Sequence, residues 1–327
     1  MEATDLGLTD DASILEEAKA AATYSLSLQA LSAHECPTQG MASRTVKVDM
    51  LNGDSIIVQL RSESVHEENA RQAHAILGKL VPVPVRIIRQ SPVPYIYIMP
   101  LVSGSTWLSK DTDGWPVQCH INLAGQIGHI IGRCCNDVYF KQRNDVIDSF
   151  IVPRLERYIE WDEPAIAPHK EFIKGLLKKV DNLRKLPLCV THWDINMMNV
   201  MVTDEAEIIG LVDWEEMYWM PFGMNTHVIS RFAGYNQRGV YKKRKCSESM
   251  EIRFWEELFS SAPRQVGKFL PEIQLAKDIG YVLSTFHDAS APPHPSHIGV
   301  FNDVLSFKVP DLSTLVRIYL RPQWRLR

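Results

Sequence analysis

From Asp11 to about Gln29 the chain is dominated by Ala, Leu and Glu, which predicts a helix with Asp11 as its N-cap. The pattern then changes. Thr45 to Leu51 partly alternates, Asn52-Gly53-Asp54 supplies a hairpin turn, and Ser55 to Arg61 returns as a strand. Between 65 and 80 the apolar positions Ala70, Ala73, Ile76, Leu77 and Leu80 share a helical face, which Val81-Pro82-Val83-Pro84 stops. Two more strands are predicted near 84–90 and 94–99, and Gly104 marks a break. From about residue 116 the period is helical. Asn122 to Ile131 suits a buried helix, in which the spacing of Gly128 and Gly132 predicts close packing on a neighbouring helix. Residues 170–184, 248–260 and 272–288 read as further helices. A β-rich first third before a mainly helical remainder predicts an α+β protein in two lobes.

Composition narrows the class without naming a function. The 327 residues are 45% hydrophobic and 23% charged, an ordinary globular balance that excludes collagen-like, coiled-coil and wholly disordered chains. Lys and Arg number 35 against 39 Asp and Glu, a net charge of −4. That balance argues against nucleic acid as a partner held by bulk positive charge. No apolar run approaches ~18 residues, so no membrane span is expected. The acidic start, with Asp5, Asp10, Asp11, Glu16 and Glu17, lacks the basic and apolar regions of a secretory signal. Six scattered cysteines form no CxxC pair, and Cys134-Cys135 fall in an apolar helical pattern as plain core thiols. A reducing, cytoplasmic compartment fits this usage. Nothing in the pattern sets an oligomeric state.

The chemistry concentrates after residue 190. His192-x-Asp194-x4-Asn199 has the spacing of a kinase catalytic loop. Behind it come a short apolar run (Val200-Met201-Val202), a polar turn (203–207), a second apolar run (Ile208 to Val212) and Asp213-Trp214-Glu215. Strands joined by so short a turn are antiparallel. Pairing residue 202 near 208 sets Asn199 opposite about 211, so Asp213 lies at the same open end and Asp194 on the loop leading into it. Phosphoryl transfer needs this set of groups. A triphosphate brings Mg²⁺, which takes hard oxygen ligands, here Asp213 and the Asn199 side-chain oxygen. A separate carboxylate, Asp194, orients the acceptor hydroxyl and takes its proton. His192 reads as a brace for the loop, and Asn196 as a loop-stabilising side chain.

These motifs resemble those of the aminoglycoside phosphotransferase and choline kinase-like family, including its uncharacterised fungal members. Glu68 before Pro82-Val83-Pro84 is similar to the family's N-lobe helix glutamate and the turn after it. Tyr95 to Gly104 is similar to its hinge strand, and Pro221-Phe222-Gly223 also agrees. The resemblance covers roughly residues 35–290. It implies a protein-kinase-like two-lobe α+β fold, with an antiparallel β-sheet N-lobe, a mainly α-helical C-lobe and ATP in the cleft between them. The corresponding division is an N-terminal helical extension (1–30), a nucleotide-binding N-lobe (31–103) and a helical C-lobe with the catalytic loop and acceptor site (104–327). The implied activity is an ATP- and Mg²⁺-dependent phosphotransferase acting on a hydroxyl of a small metabolite. Asp194 is its general base, Asn199 and Asp213 hold Mg²⁺, and Glu68 orders the N-lobe. The backbone from Met99 to Leu101 takes the adenine, and Glu215 and Glu216 are candidate acceptor contacts.

The chain departs from the family pattern at three places. Gln59 stands where a basic residue usually reaches the phosphates, with Arg61 two residues on and on the same side of the strand. Trp193 replaces a small residue. Only Gly40 offers a glycine for a phosphate-covering loop. A catalytically degenerate kinase-fold binding protein is therefore the alternative reading. A protein kinase fits less well, because Asp213 is followed by Trp-Glu and no Ala-Pro-Glu segment follows. The Walker, GxGxxG and GxSxG motifs are absent. His287, His294 and His297, and the basic run Lys242 to Lys245, read as solvated loops.

Overall fold

The structure, a computed structural model, describes residues 6–7, 10–37, 39–40, 42–88, 94–110, 114–135, 143–286 and 298–311. The histidines 287, 294 and 297 lie outside the described residues. The chain begins with α1 (Asp11–Leu26), capped by Asp10 rather than Asp11. The Ser13 N–H donates to the Asp10 carboxylate at 2.8 Å and the Asp10 N–H donates to the Ser13 hydroxyl at 3.2 Å, a reciprocal capping box. Ser27 turns left-handed at φ 50°, so the helix stops short of Gln29.

Next come β1 (Ala30–Glu35), β2 (Ser43–Met50), β3 (Ser55–Arg61), α2 (Glu67–Leu77), β4 (Val85–Ile87), β5 (Tyr95–Pro100) and β6 (Ser105–Thr106). The helical portion opens with α3 (Val117–Arg133) and α4 (Arg143–Val146). A π-helical turn (Ile147–Ile151) leads from α4 into α5 (Val152–Glu160), and α6 (Lys170–Leu177) follows. The predicted helix 170–184 is thus shorter, because it gives way to a 3₁₀ segment at Val180–Lys185. Then follow β7 (Leu188–His192), β8 (Val200–Val202), β9 (Ile208–Leu211), β10 (Met217–Pro221), α7 (Ile229–Ala233), β11 (Gly234–Gln237), β12 (Val240–Lys243), α8 (Ser247–Ser261), α9 (Leu270–Phe286) and α10 (Phe301–Ser306). The basic run is not a loop throughout, since Lys242 and Lys243 lie on β12.

Two compact units divide the chain. The first holds residues up to Lys110 together with Met197–Thr203 and Ile209–Glu216. Its antiparallel sheet has the order β1-β2-β3-β5-β4. Val46, Val48, Met50, Val58, Leu60, Ile96 and Ile98 line one face and form a core with Ile14, Ala18, Ala21 and Ala22 of α1. Small alanines at helical spacing let α1 lie close on the strands. Because β3 alternates, its Val58 and Leu60 face α1, while Ile57, Gln59 and Arg61 face the other side. A second sheet, β6-β8-β9, completes this unit.

The second unit holds Asp111–Asn196, Asp204–Ile208 and Met217 onward. Within it α3 packs on α8 at glycine contacts, as the GxxxG spacing predicts. A Cβ at Gly128 would stand 2.1 Å from the Phe254 carbonyl oxygen, and one at Gly132 would stand 2.4 Å from that of Leu258. β7 pairs antiparallel with β10, His192 opposite Met217. Every residue of β7 is buried, so this strand shows no alternation in sequence.

Candidate functional site

In the first unit the β8–β9 hairpin sets two oxygen donors. The Val212 N–H donates to the Asn199 carbonyl at 3.0 Å, which aligns the last residue before β8 with the first after β9. Asn199 is buried and Asp213, one residue beyond Val212, is exposed. Asp213 has φ 65°, a left-handed conformation rare for a residue with a side chain. Its cause is next in sequence. Trp214 is buried and its indole N–H donates to the Leu211 carbonyl at 2.9 Å, closing the chain over Asp213. Backbone in this region costs roughly 1–3 kcal/mol and collects at functional sites.

Glu215 follows. Its carboxylate forms a two-pronged ion pair with the Arg61 guanidinium, one arm at 2.8 Å. The Arg61 side chain is only 7% exposed, against 35% for Glu215. Asn69 of α2 donates to the Glu215 carbonyl at 2.8 Å. Burial pushes the Glu215 carboxyl up to about 7, and the neighbouring Asp213 carboxylate adds to that while Arg61 opposes it. Oxygen donors with an excess of negative charge suit a hard divalent cation, so Asn199 and Asp213 fit Mg²⁺ in chemistry. Among the described residues no cluster of three His, Cys, Asp or Glu side chains is placed to hold a metal.

Gln59, on the same strand face as Arg61, turns sideways to donate to the Thr45 hydroxyl at 3.4 Å. Glu68 is not brought to either residue. Its carboxylate is 63% exposed and lies 3.6 Å from Arg71, with Gln72 donating to it at 3.3 Å. The reason is helical phase. α2 buries Ala70, Ala73 and Leu77, which turns Glu68 outward and brings Asn69 round to Glu215. Met99 lies on β5 opposite Ile57, and Leu101 just past the strand end.

Asp194 belongs to the second unit, and the chain passes from that unit to the first between Asn196 and Met197. β7 ends at the buried His192, whose Nδ1 accepts the Asp194 N–H at 3.2 Å. That bond sets the neutral tautomer with its proton on Nε2. Each carboxylate oxygen of Asp194 has a partner. Asn196 donates to Oδ2 at 2.6 Å, and Arg231 Nη1 stands 3.4 Å from Oδ1 and 2.7 Å from the Ile195 carbonyl oxygen. Trp193 is buried, edge-on to Tyr218 at 5.9 Å and to Phe150 at 6.5 Å. The loop is thus pinned by an indole as well as by polar contacts. Sequence reasoning missed Asn69 and Arg231. Neither lies in a motif, and only the packing of α2 and α7 reveals them.

Residues 35–224 match the family model described as "Phosphotransferase enzyme family". Comparison with curated proteins finds no match. Among solved structures, a thermostable mutant of an aminoglycoside phosphotransferase in ternary complex with AMP-PNP and hygromycin B is similar, with 12% identity and a TM-score of 0.53 over 88% of this chain and 97% of that one. A macrolide 2′-phosphotransferase from Brachybacterium faecium, without ligand, has 12% identity and a TM-score of 0.50 over 91% and 99%. The fold is therefore the α+β, two-lobe protein-kinase-like fold, with an antiparallel N-lobe sheet and a mainly helical C-lobe.

Proposed function

We propose that this chain, which belongs to the phosphotransferase enzyme family, moves the γ-phosphate of ATP onto a hydroxyl of a small metabolite with the help of Mg²⁺. One observation carries the reading: the 3.0 Å bond from Val212 to Asn199 holds an amide and a carboxylate, Asn199 and Asp213, at one end of a hairpin. The catalytic-loop carboxylate lies five residues before that amide. Asn199 and Asp213 would hold Mg²⁺, which when bound neutralises charge on the triphosphate.

Asp194 receives the acceptor's proton as the acceptor oxygen bonds to the γ-phosphorus. The bond from that phosphorus to the bridging oxygen breaks, and ADP leaves with its electron pair. His192 and Asn196 hold the Asp194 loop in place. Arg61 is the cation offered to the phosphates, and Glu215 performs the ordering role expected of Glu68. Gln59 is left to its strand neighbour. The backbone from Met99 to Leu101 takes the adenine. Glu216, next to Glu215 in the chain, is the acid proposed to face the acceptor. No helix among the described residues is long and apolar enough to cross a membrane; a cytoplasmic location is part of the reading.

Asp194→Asn tests it. Phosphorylation of a panel of amino alcohols, sugars and amino sugars is expected to fall at least ~10²-fold, with the circular dichroism spectrum unchanged. Full activity in that variant removes Asp194 from the mechanism. Nucleotide titration tests the non-catalytic alternative that Gln59 raises. A thermal shift with ATP that requires Mg²⁺ supports the phosphotransferase, and no shift supports the binding protein.

A further inference from the structure

Arg231 lies outside every motif of the catalytic loop, yet one of its nitrogens touches that loop twice. Nη1 stands 2.7 Å from the Ile195 carbonyl oxygen and 3.4 Å from Asp194 Oδ1. The helix that carries it is fixed on both sides of residue 231. The Tyr241 hydroxyl donates to the Ser230 carbonyl at 2.6 Å. Arg244 Nε donates to the Phe232 carbonyl at 3.1 Å, and the Arg244 N–H donates to the Ala233 carbonyl at 2.9 Å. One turn earlier the buried His227 is tied to the Met224 carbonyl at 3.1 Å and to the Ser284 hydroxyl at 3.2 Å. The backbone of α7 is thus held, and the two contacts of Arg231 Nη1 tie that helix to the loop that carries Asp194. On the other side Trp193 is wedged against Phe150 and Tyr218. Asn196 donates to Oδ2, and Arg231 is placed on the other oxygen, Oδ1.

We propose that Arg231 is a positioning residue for the proton-accepting carboxylate: it fixes Oδ1 of Asp194 and the following peptide so that the carboxylate faces the acceptor. This rests on the reading of Asp194 as general base. An ångström-scale misplacement of a catalytic group costs roughly 10²-fold in rate. Arg231 acts through Asp194 and not on the nucleotide, so the loss falls on kcat.

The experiment compares Arg231→Met, Arg231→Lys and Asp194→Asn in the full chain. Transfer from MgATP is measured to water and to the panel of alcohols, with hydrogen exchange at Ile195 and Asn196. Arg231→Met is expected to lower kcat about 10²-fold with the nucleotide KM unchanged and to speed exchange at those two amides. Arg231→Lys, which keeps the charge and one donor, is expected to recover part of both. An unchanged kcat in Arg231→Met, or a loss accompanied by unchanged exchange at Ile195 and Asn196, overturns the proposal. Asp194→Asn keeps the outcomes apart. Full activity there defeats the base assignment itself, whereas an inactive Asp194→Asn beside a fully active Arg231→Met defeats only the role of Arg231.

Discussion

Arg61→Met and Glu215→Gln remove opposite ends of the same ion pair and should behave differently with pH. Losing one partner of a fully buried pair costs roughly 3–5 kcal/mol. The Glu215 side chain is 35% exposed, so screening by solvent reduces this to about 2–3 kcal/mol. In the wild type the Glu215 carboxyl sits at about 7, above its ordinary value of 4.5. Between those values the folded chain holds a proton that the unfolded chain has released, so this group's contribution to stability declines as pH rises from 4.5 and levels off above 7. Arg61 is the partner that opposes the rise. Without it the carboxyl moves higher, and Arg61→Met goes on losing stability above pH 7 at up to about 1.4 kcal/mol per pH unit. Glu215→Gln has no proton to exchange at that position, so its stability lacks the wild-type slope between 4.5 and 7. Urea unfolding from about pH 4.5 to about pH 9 reads both effects. A destabilisation by Arg61→Met that stays flat across that range, or a wild-type slope kept in Glu215→Gln, would falsify the argument.

Two further outcomes follow from the second unit. His227 is buried and held down at about 3, chiefly by burial and then by the charges of Arg231 and Lys277. Its folded value lies below the ordinary 6.5, so stability drops as pH falls through that range by up to about 1.4 kcal/mol per unit. His227→Gln should lose that slope in urea midpoints between about pH 7 and pH 5, and matching slopes would count against it. Gly128→Ala drives a methyl to within 2.1 Å of the Phe254 carbonyl, and a loss of about 3 kcal/mol or more is expected. Gly175→Ala in α6 meets nothing within 4 Å and should gain about 0.5–1 kcal/mol. Thermal unfolding ranks the pair, and equal effects would show that the α3–α8 contact is not the constraint.

What was legible in the sequence was what is local. Capping, turn and period signals found α1, the β2–β3 hairpin, α2, α3, α8 and α9 to within a few residues, because each is decided by neighbours along the chain. The Asp10 cap differs from the expected Asp11 by one residue, since the capping box selects whichever acid stands three before Ser13. β7 paired with β10 was not anticipated, because a strand buried on both faces carries no alternation to detect. Trp193 departs from the family pattern in the catalytic loop. In the folded chain it is an anchor whose reason is held by Phe150 and Tyr218, distant in sequence.

The same distinction explains the basic residue. Alternation along β3 puts Gln59 and Arg61 on one face and does not choose between them. The choice depends on partners. Thr45 stands directly across the sheet from Gln59 and takes its amide. Glu215, 154 positions from Arg61, takes the guanidinium. A buried guanidinium cannot shed its charge, so an acid has to stand beside it. Glu215, two residues past Asp213, meets that need and brings a second carboxylate near the first. The pairing therefore couples the N-lobe sheet to the pair of oxygen donors, and it does so without Glu68. On the proposed reading, Gln59 is weak evidence of lost chemistry, because Arg61, the next residue on the same strand face, is the cation offered to the phosphates.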